Sequence, residues 1–388
     1  MTSTYLTRLG DFANEISRRA PSEANLPVYS VTKHQGFVPS LEYFKKQVFS
    51  LDTKGYKMVV AGELAYATIH LDEGSIGVCP ELSLISPMYT VFRIDETKAE
   101  ASYLERFLKS PKALSAYPTL SKGSVHRRAA ISFARLAELP VPLPPLPEQR
   151  RITAILDKAD ALRAKRREAI VKLDQLLQTV FLEMFGDPVT NPKGWPGNTT
   201  LGDIALDMQY GPRFHNEAYS LNGIKIVRIT DLSPTGELDF DAMPRMDVEE
   251  NVQVRFVLQP GDIIFARTGA TVGKVALIQA SDPPSIAGAY FIRVQVNNSV
   301  LPEYVFAALR TKSIQKFIAV KSRQAAQQNF SGPGLRKLPM PVPSLELQCQ
   351  FASLAKKIEQ QKRTLQEHVG QQDALFASLQ DRAFNGEL

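Results

Sequence analysis

The sequence predicts an α+β protein in which two globular units are separated by a long antiparallel two-helix coiled coil, built as a pseudo-two-fold internal duplication. Three observations carry this. The stretch LPVPLPPLPEQRRITAILDKADALRAKRRE (139–168) returns 199 positions later as LPMPVPSLELQCQFASLAKKIEQQKRTLQE (338–367). The same offset continues without a gap through Gln149 and Gln348, Lys158 and Lys357, Asp174 and Asp373, Leu176 and Leu375, and Phe185 and Phe384. Self-similarity of this length points to a duplicated chain. Each half also carries short apolar runs punctuated by glycine, VVAGELAYATIHLDEGSIG (59–77) and LQPGDIIFARTGATVGKVA (258–276), which read as the strands of a small sheet.

The divisions that follow are 1–145 for a first globular domain, 146–187 for a central helix, 188–343 for a second globular domain and 344–388 for a C-terminal helix. A length of 388 residues with 44% hydrophobic and 22% charged residues suits two or three domains with substantial cores. The opening MTSTYLTRLGDFANE lacks the basic-then-apolar pattern of a secretory signal, and no run of 18 apolar residues could span a bilayer, so a cytoplasmic protein is expected. Cys79 and Cys349 are far apart, without metal-ligand spacing, and read as reduced thiols. Net charge is +6 and the pI about 9.1, which leans toward a polyanionic partner.

Within the repeat, Pro140, Pro142, Pro144 and Pro145 can neither donate to a ladder nor continue a helix, so they predict an extended, polyproline-like connector. Pro147 suits the first helical turn, with Glu148 near the positive end; in the second copy Ser344 can cap and Glu346 takes the acidic place. The stops are Gly186 and Pro188 after Phe185, and Asn385 and Gly386 after Phe384. Between them, Ile152, Ile155, Ala159, Leu162, Arg166, Ala169, Leu173, Leu176 and Val180 alternate spacings of three and four, the pattern of a coiled-coil seam. The second copy places Phe351, Leu354, Ile358, Gln361, Leu365, His368, Gln372, Leu375 and Leu379 in the same register. Two amphipathic helices packed separately onto their own domains would use a similar pattern. Packing against each other is preferred, because the 150 or so intervening residues can return the chain.

Fainter echoes tie the globular parts together. Leu9, Gly10 and Asp11 match Leu201, Gly202 and Asp203, and YTVFRID (89–95) parallels YFIRVQV (290–296). A helix follows each, then a polar, basic stretch, LSKGSVHRRAAIS or VKSRQAAQQNFSG, then the proline strip.

A duplicated α+β domain, each copy followed by LPxPxPxL and a long helix, with FARTGATVGK after PGDII, resembles the specificity (S) subunit of a type I restriction-modification enzyme, over essentially the whole chain. The resemblance implies two target recognition domains that each read half of a bipartite double-stranded DNA site, and helices that form a coiled coil and dock methyltransferase (M) subunits, two in number. It also implies that S-adenosylmethionine is used on M, and ATP and Mg on a restriction (R) subunit if one is present. Glu148, Arg150, Ile152, Ile155, Leu162, Leu173, Leu176, Phe351, Leu354, Ile358, Leu365, Leu375 and Leu379 are the candidate coiled-coil and docking residues. The second strip departs from the first: Leu347 and Cys349 replace the equivalents of Glu148 and Arg150, so one docking surface is expected to be weaker.

Lys and Arg supply phosphate contacts or bidentate pairing to guanine, and Gln or Asn can pair with adenine. Candidates in the first domain are Lys33, His34, Gln35, Lys122, His126, Arg127 and Arg128. In the second they are Arg213, His215, Arg267, Lys274, Lys321, Arg323, Gln324, Gln327, Gln328 and Asn329. The first domain has ATIH where the second has ARTG, so Arg267 has no basic counterpart there. The run RAKRRE, with Arg163, Lys165, Arg166 and Arg167, suits a solvated helix face or a contact to a partner or to the DNA backbone equally.

Signals for catalysis fall short. GATVGKVAL has three residues rather than four between Gly269 and Gly273, and Val275 where a phosphate loop needs Ser or Thr. SDPPSI has Ser285 where an adenine methyltransferase places a stacking aromatic, and reads as a turn. The expectation is a non-catalytic DNA-specificity chain. A free-standing DNA-binding scaffold of the same architecture is the alternative, and an autonomous methyltransferase would need a cofactor site that the sequence does not offer.

Overall fold

The structure, a computed structural model, describes residues 6–21, 26–44, 49–50, 53–120, 130–196, 199–214, 218–322 and 329–388. It divides into two compact units, residues 1–166 with 368–388, and residues 167–367. Both mix helix and sheet. Among the described residues no helix is long and apolar enough to cross a membrane.

In the first unit an antiparallel sheet has the order Ala13–Ile16, Tyr89–Ile94, Leu64–Ala67, Ile76–Val78. A second sheet has the order Gly36–Pro39, Val28–Thr32, Ser83–Ile85, Lys57–Val59, with its central pair parallel. Side chains alternate across a strand, so Leu64 and Tyr66 join a core with Tyr103, Leu104 and Phe107 of the helix Ala101–Leu108, while Ala65 joins Val31, Val59 and Ile85. Both faces are covered, which is why the run is apolar throughout. Gly77 lets the hairpin come close: a Cβ there would lie 2.8 Å from the Phe37 amide nitrogen.

The second unit repeats the plan. Its antiparallel sheet runs Ala205–Tyr210, Phe291–Val296, Ile263–Ala266, Val275–Leu277, and its other sheet runs Tyr219–Ser220, Arg245–Met246, Ile224–Val227, Ser285–Ala287, with the last pair parallel. Ile263 and Phe265 pack toward the helices Pro302–Leu309 and Lys312–Ser322, and Ile264 and Ala266 toward Val227 and Ala287. Where the first unit has the strand Lys57–Val59, the second has only a bridge from Val257 to Ile286.

The ladders correct one expected equivalence. Matching Tyr89 to Tyr290 would set Phe92 opposite Arg293, yet Leu64 pairs with Phe92 and Ile263 with Val294, so the equivalence is displaced by one residue. Buried carboxylates set this register, because they must be partnered. Arg93 Nη2 meets Glu63 at 2.9 Å, and Gln295 Nε2 donates to Asp262 at 2.8 Å, from equivalent places.

The proline strips are extended, as the missing N–H groups require, but they are not isolated connectors. Pro140–Pro142 forms a short antiparallel ladder with Leu6–Arg8, and Pro339 bridges Thr200. Proline forbids donation and leaves its carbonyl free to accept, so such a strip can still serve as an edge. Tyr103 donates to the Pro142 carbonyl at 2.7 Å, and Tyr304 to the Pro341 carbonyl at 2.6 Å. The fully buried Gln149 accepts from the Glu100 amide at 2.8 Å and donates to the carbonyls of Lys98 and Pro144 at 2.8 and 2.7 Å. Gln348, also fully buried, accepts from the Leu301 amide at 2.7 Å and donates to Ser299 and Pro343 at 3.3 and 2.9 Å. One glutamine thus fastens loop, strip and helix start in each unit.

The long helices span Leu146–Phe185 and Leu345–Asn385, and end where Gly186 and Gly386 take positive φ of 78° and 77°. At these ends Phe185 packs on Tyr304 and Phe384 on Tyr103. The Phe185 carbonyl accepts from Trp195 Nε1 at 2.7 Å, whereas the Phe384 carbonyl accepts from the Lys112 ammonium at 2.9 Å. In the first unit the helices lie side by side in opposite directions, with Arg151 donating to the Leu388 carbonyl at 2.6 Å and Arg163 meeting Asp373 at 2.6 Å. In the second unit Lys362 meets Asp174 at 2.8 Å. The offset of 199 maps each ion pair onto the other.

The seam expected from the sequence is corrected at alternate positions. Ile152, Leu173, Phe351, Ile358, Leu365 and Leu379 are buried or half-buried, but Leu162, Leu176, Leu354 and Leu375 are 47%, 47%, 38% and 57% exposed. Ile155 is half-buried, and its neighbour Leu156 fills the core instead; Arg163, Leu177, Ala355, Lys362 and Phe376 occupy the other inward places. A spacing of four then three fits the chain as well as three then four. It looked worse because it puts Arg163 and Lys362 inside, where aspartates neutralise them. Burial pulls the Lys362 pKa down, but hydrogen bonds to Asp174 and Glu237 more than offset this and leave it above the ordinary lysine value.

Replacing Gln348 by Ala leaves the buried Leu301 amide and Pro343 carbonyl unpaired, so a loss of about 3 kcal/mol in unfolding free energy is expected. Denaturant titration of the full chain checks it, with Gln149→Ala giving a similar loss.

Candidate nucleic-acid interface

In the second unit three chain segments meet at Arg267, the residue that follows the strand Ile263–Ala266. Its amide donates to the Tyr290 carbonyl at 2.9 Å and its carbonyl accepts from the Phe330 amide at 2.8 Å. The guanidinium stacks over Tyr210, 4.8 Å from the ring centroid, and the Tyr210 hydroxyl accepts from the Gly332 amide at 2.8 Å. Thr268 bridges the exposed Asn329. Arg213, exposed, follows three residues after Tyr210, and Lys321, exposed, lies in the last turn of Lys312–Ser322. Arg267 Nε is buried without a hydrogen-bond partner among the described residues. A guanidinium held over a ring face has its fork of donors restrained, which suits recognition of a planar acceptor pair.

Lys274 does not extend this group. Its ammonium donates to the Leu232 carbonyl at 3.1 Å and fixes the base of the loop. The turn reading of SDPPSI holds at its start, where Asp282 accepts from the Gln279 amide at 2.8 Å and its carboxyl pKa is raised by burial, but Ser285 and Ile286 belong to the buried strand Ser285–Ala287. Among the described residues no cluster of His, Cys, Asp and Glu could hold a metal ion.

In the first unit Lys33, His34 and Gln35 are exposed at the tip of the hairpin joining Val28–Thr32 to Gly36–Pro39. Thr32 closes the tip by accepting from the Gln35 amide and donating to the Gly36 carbonyl, both at 3.2 Å. Glu73 lies 3.9 Å from Lys33 and 3.4 Å from His70, and tempers the positive charge there. Thr68 occupies the place of Arg267: its carbonyl accepts from the Ile131 amide at 3.0 Å, as that of Arg267 does from Phe330.

Lys122, His126, Arg127, Arg128, His215, Arg323, Gln324, Gln327 and Gln328 lie outside the described residues. Tyr210 was missed by sequence reasoning, since one aromatic at a strand end reads as core; its neighbours in QYGPRF gave the only hint. Of the docking candidates, Glu148 pairs with Arg151 at 2.9 Å and Arg150 with Glu100 at 2.5 Å.

A family model described as the type I restriction modification DNA specificity domain matches residues 88–172 and 193–372. The chain is 23% identical over 238 residues to the MjaVIII type I restriction enzyme specificity subunit of Methanocaldococcus jannaschii, covering 56% of this chain and 55% of that protein. It is 22% identical over 341 residues to the EcoBI specificity subunit of Escherichia coli, covering 80% and 70%. The chain therefore spans little more than half the length of the first and 70% of the second. Two solved structures share the fold. One, from work on complex assembly and conformational transition of the type I R-M system, is 19% identical with a TM-score of 0.58, over 99% of this chain and 98% of that one. The other, the type I restriction-modification S subunit of M. genitalium, is 13% identical with a TM-score of 0.57, over 99% and 97%.

Arg267→Ala is expected to weaken binding of double-stranded DNA by about tenfold, the lower range for loss of a bidentate contact. Thr68→Ala at the equivalent place should change it little. Titration of both variants at one fixed salt concentration checks this.

Proposed function

The chain belongs to the type I restriction modification DNA specificity family, and on that premise we propose that it is the non-catalytic specificity subunit of such a system, reading an asymmetric bipartite DNA site and docking methyltransferase subunits. The observation that carries this is the duplication. The same pair of sheets, with the same return of a polar stretch to the same loop, precedes the same strip and long helix twice. Two similar readers imply two half-sites. Their loops differ, with Thr68 and the Glu73 carboxylate in one and Arg267 on Tyr210 in the other, so the half-sites differ and the whole site is asymmetric.

The long helices serve as spacer and docking surface in this proposal. Each is about 60 Å long at 1.5 Å per residue, which with the DNA helical repeat sets the gap between half-sites. Leu162, Leu176, Leu354 and Leu375, turned away from the seam, offer apolar contacts to two M subunits. S-adenosylmethionine is used on M, ATP and Mg on an R subunit where present, and this chain contributes neither site. The complex works in the cytoplasm.

Mapping methylated adenines in genomic DNA with and without this gene is the direct test. Loss of one asymmetric, gapped motif is expected; an unchanged pattern would favour a DNA-binding scaffold without a methyltransferase partner. Replacing residues 188–337 by those of a relative should alter one half of the motif alone, and a change in both halves would count against separate reading.

A further inference from the structure

Lys362 of the helix Leu345–Asn385 is 2% exposed and is met by three carboxylates. Asp174 at 2.8 Å and Glu359 at 3.5 Å lie on the long helices. The third, Glu237 at 2.9 Å, comes from a loop between the strands Ile224–Val227 and Arg245–Met246, and also accepts from Gln366 Nε2 at 3.0 Å. From the sequence Glu237 is one acidic residue in a turn, SPTGELD, and nothing marks it.

We infer that Glu237 is a positioning residue, tying the DNA-reading loop 267–274 of the second unit to the helix Leu345–Asn385. This rests on that loop reading DNA.

The connection is short and made of fixed parts. The Glu237 backbone is locked by its own turn, its amide donating to Ser233 Oγ and its carbonyl accepting from the Ser233 amide, both at 2.9 Å. Gly236 presses the turn onto the strand Val275–Leu277: its φ is +91°, and a Cβ there would lie 2.7 Å from the Val275 carbonyl. The residue before Ser233 is Leu232, whose carbonyl accepts from Lys274. Lys274 closes the reading loop, since its own carbonyl accepts from the Ala266 amide at 2.8 Å. Helix, Glu237, Leu232, Lys274 and Arg267 thus form one chain of contacts, and a carboxylate held by a buried ammonium anchors its far end.

Among the described residues no loop carboxylate of the first unit meets the equivalent cation. Arg163 stands where Lys362 stands, and the carboxylates that meet it, Asp160 and Asp373, both lie on the long helices. The consequence is asymmetric: the second unit's reading loop is tied to the long helices at Glu237, whereas the first unit meets its long helix through Arg106 of the helix Ala101–Leu108, which pairs with Asp157 at 2.7 Å and with Asp160.

Hydrogen exchange of the full chain, followed by mass spectrometry, tests the tether. Glu237→Ala should raise exchange in residues 267–274 by about fivefold or more, the low end for a coupling between sites, and leave 59–77 at the wild-type rate. Glu237→Gln, which keeps an acceptor oxygen and loses the charge, should give a smaller rise in the same residues and serves where the alanine variant folds poorly. Asp174→Asn also weakens Lys362 but leaves Glu237 in place, so 267–274 should stay at the wild-type rate. An equal rise for Asp174→Asn would overturn the inference, because general loosening of the helices would explain both. So would the absence of a rise in Glu237→Ala. The Glu237→Ala chain should also lose about fivefold in discrimination at the second half-site alone. A wild-type chain that binds no DNA would sink the DNA reading and leave the exchange result standing.

Discussion

An arginine or lysine brought inside a pair of helices has to find a carboxylate, and here the need is met across the pair, by Arg163 with Asp373 and by Lys362 with Asp174. Such pairs add little net stability once desolvation is counted, but they are exacting about alignment. Sliding one helix by a turn would part both cations from these aspartates and leave Arg163 with Asp160 alone and Lys362 with Glu237 and Glu359. The pairs therefore fix the helix register, and with it the starting points of both strips. Everything else in each unit hangs from those starts: the buried glutamine, the tyrosine that donates to the strip, and the aromatic cluster at the helix end.

Much of this frame was legible before the structure. Proline alternation marked the strips, glycines marked the helix ends, and a constant offset joined the two halves, since each feature depends on local backbone chemistry. What was not legible needed a partner. Arg163 and Lys362 looked out of place in a seam until Asp373 and Asp174 were seen opposite them. The equivalence of Arg93 with Gln295 was hidden because the buried carboxylates that fix it, Glu63 and Asp262, look like ordinary surface acids in a linear sequence.

The candidate interface was legible in outline and not in its assignments. Residue type alone placed Arg267, Asn329 and Arg213 in one group, and the structure sets Asn329 against Thr268, the residue next to Arg267. Residue type also chose Lys274, which the fold uses to hold a carbonyl, and passed over Tyr210, which steadies the arginine. A lysine beside glycines and an aromatic at a strand end carry the same letters whether they touch a ligand or a neighbour. Only three-dimensional placement separates the two.

The two long helices finish on equivalent phenylalanines, yet their last carbonyls are satisfied by different chemistry, an indole N–H for Phe185 and an ammonium for Phe384. A neutral donor is indifferent to dissolved ions, whereas a partly exposed ammonium competes with them. Counter-ions therefore act on one helix terminus and spare the other. Rising ionic strength weakens the cap on the C-terminal helix, whose Phe384 stays packed on Tyr103 and Phe107, and leaves the cap on the central helix unchanged, so a frame built by duplication answers its solvent at one end only.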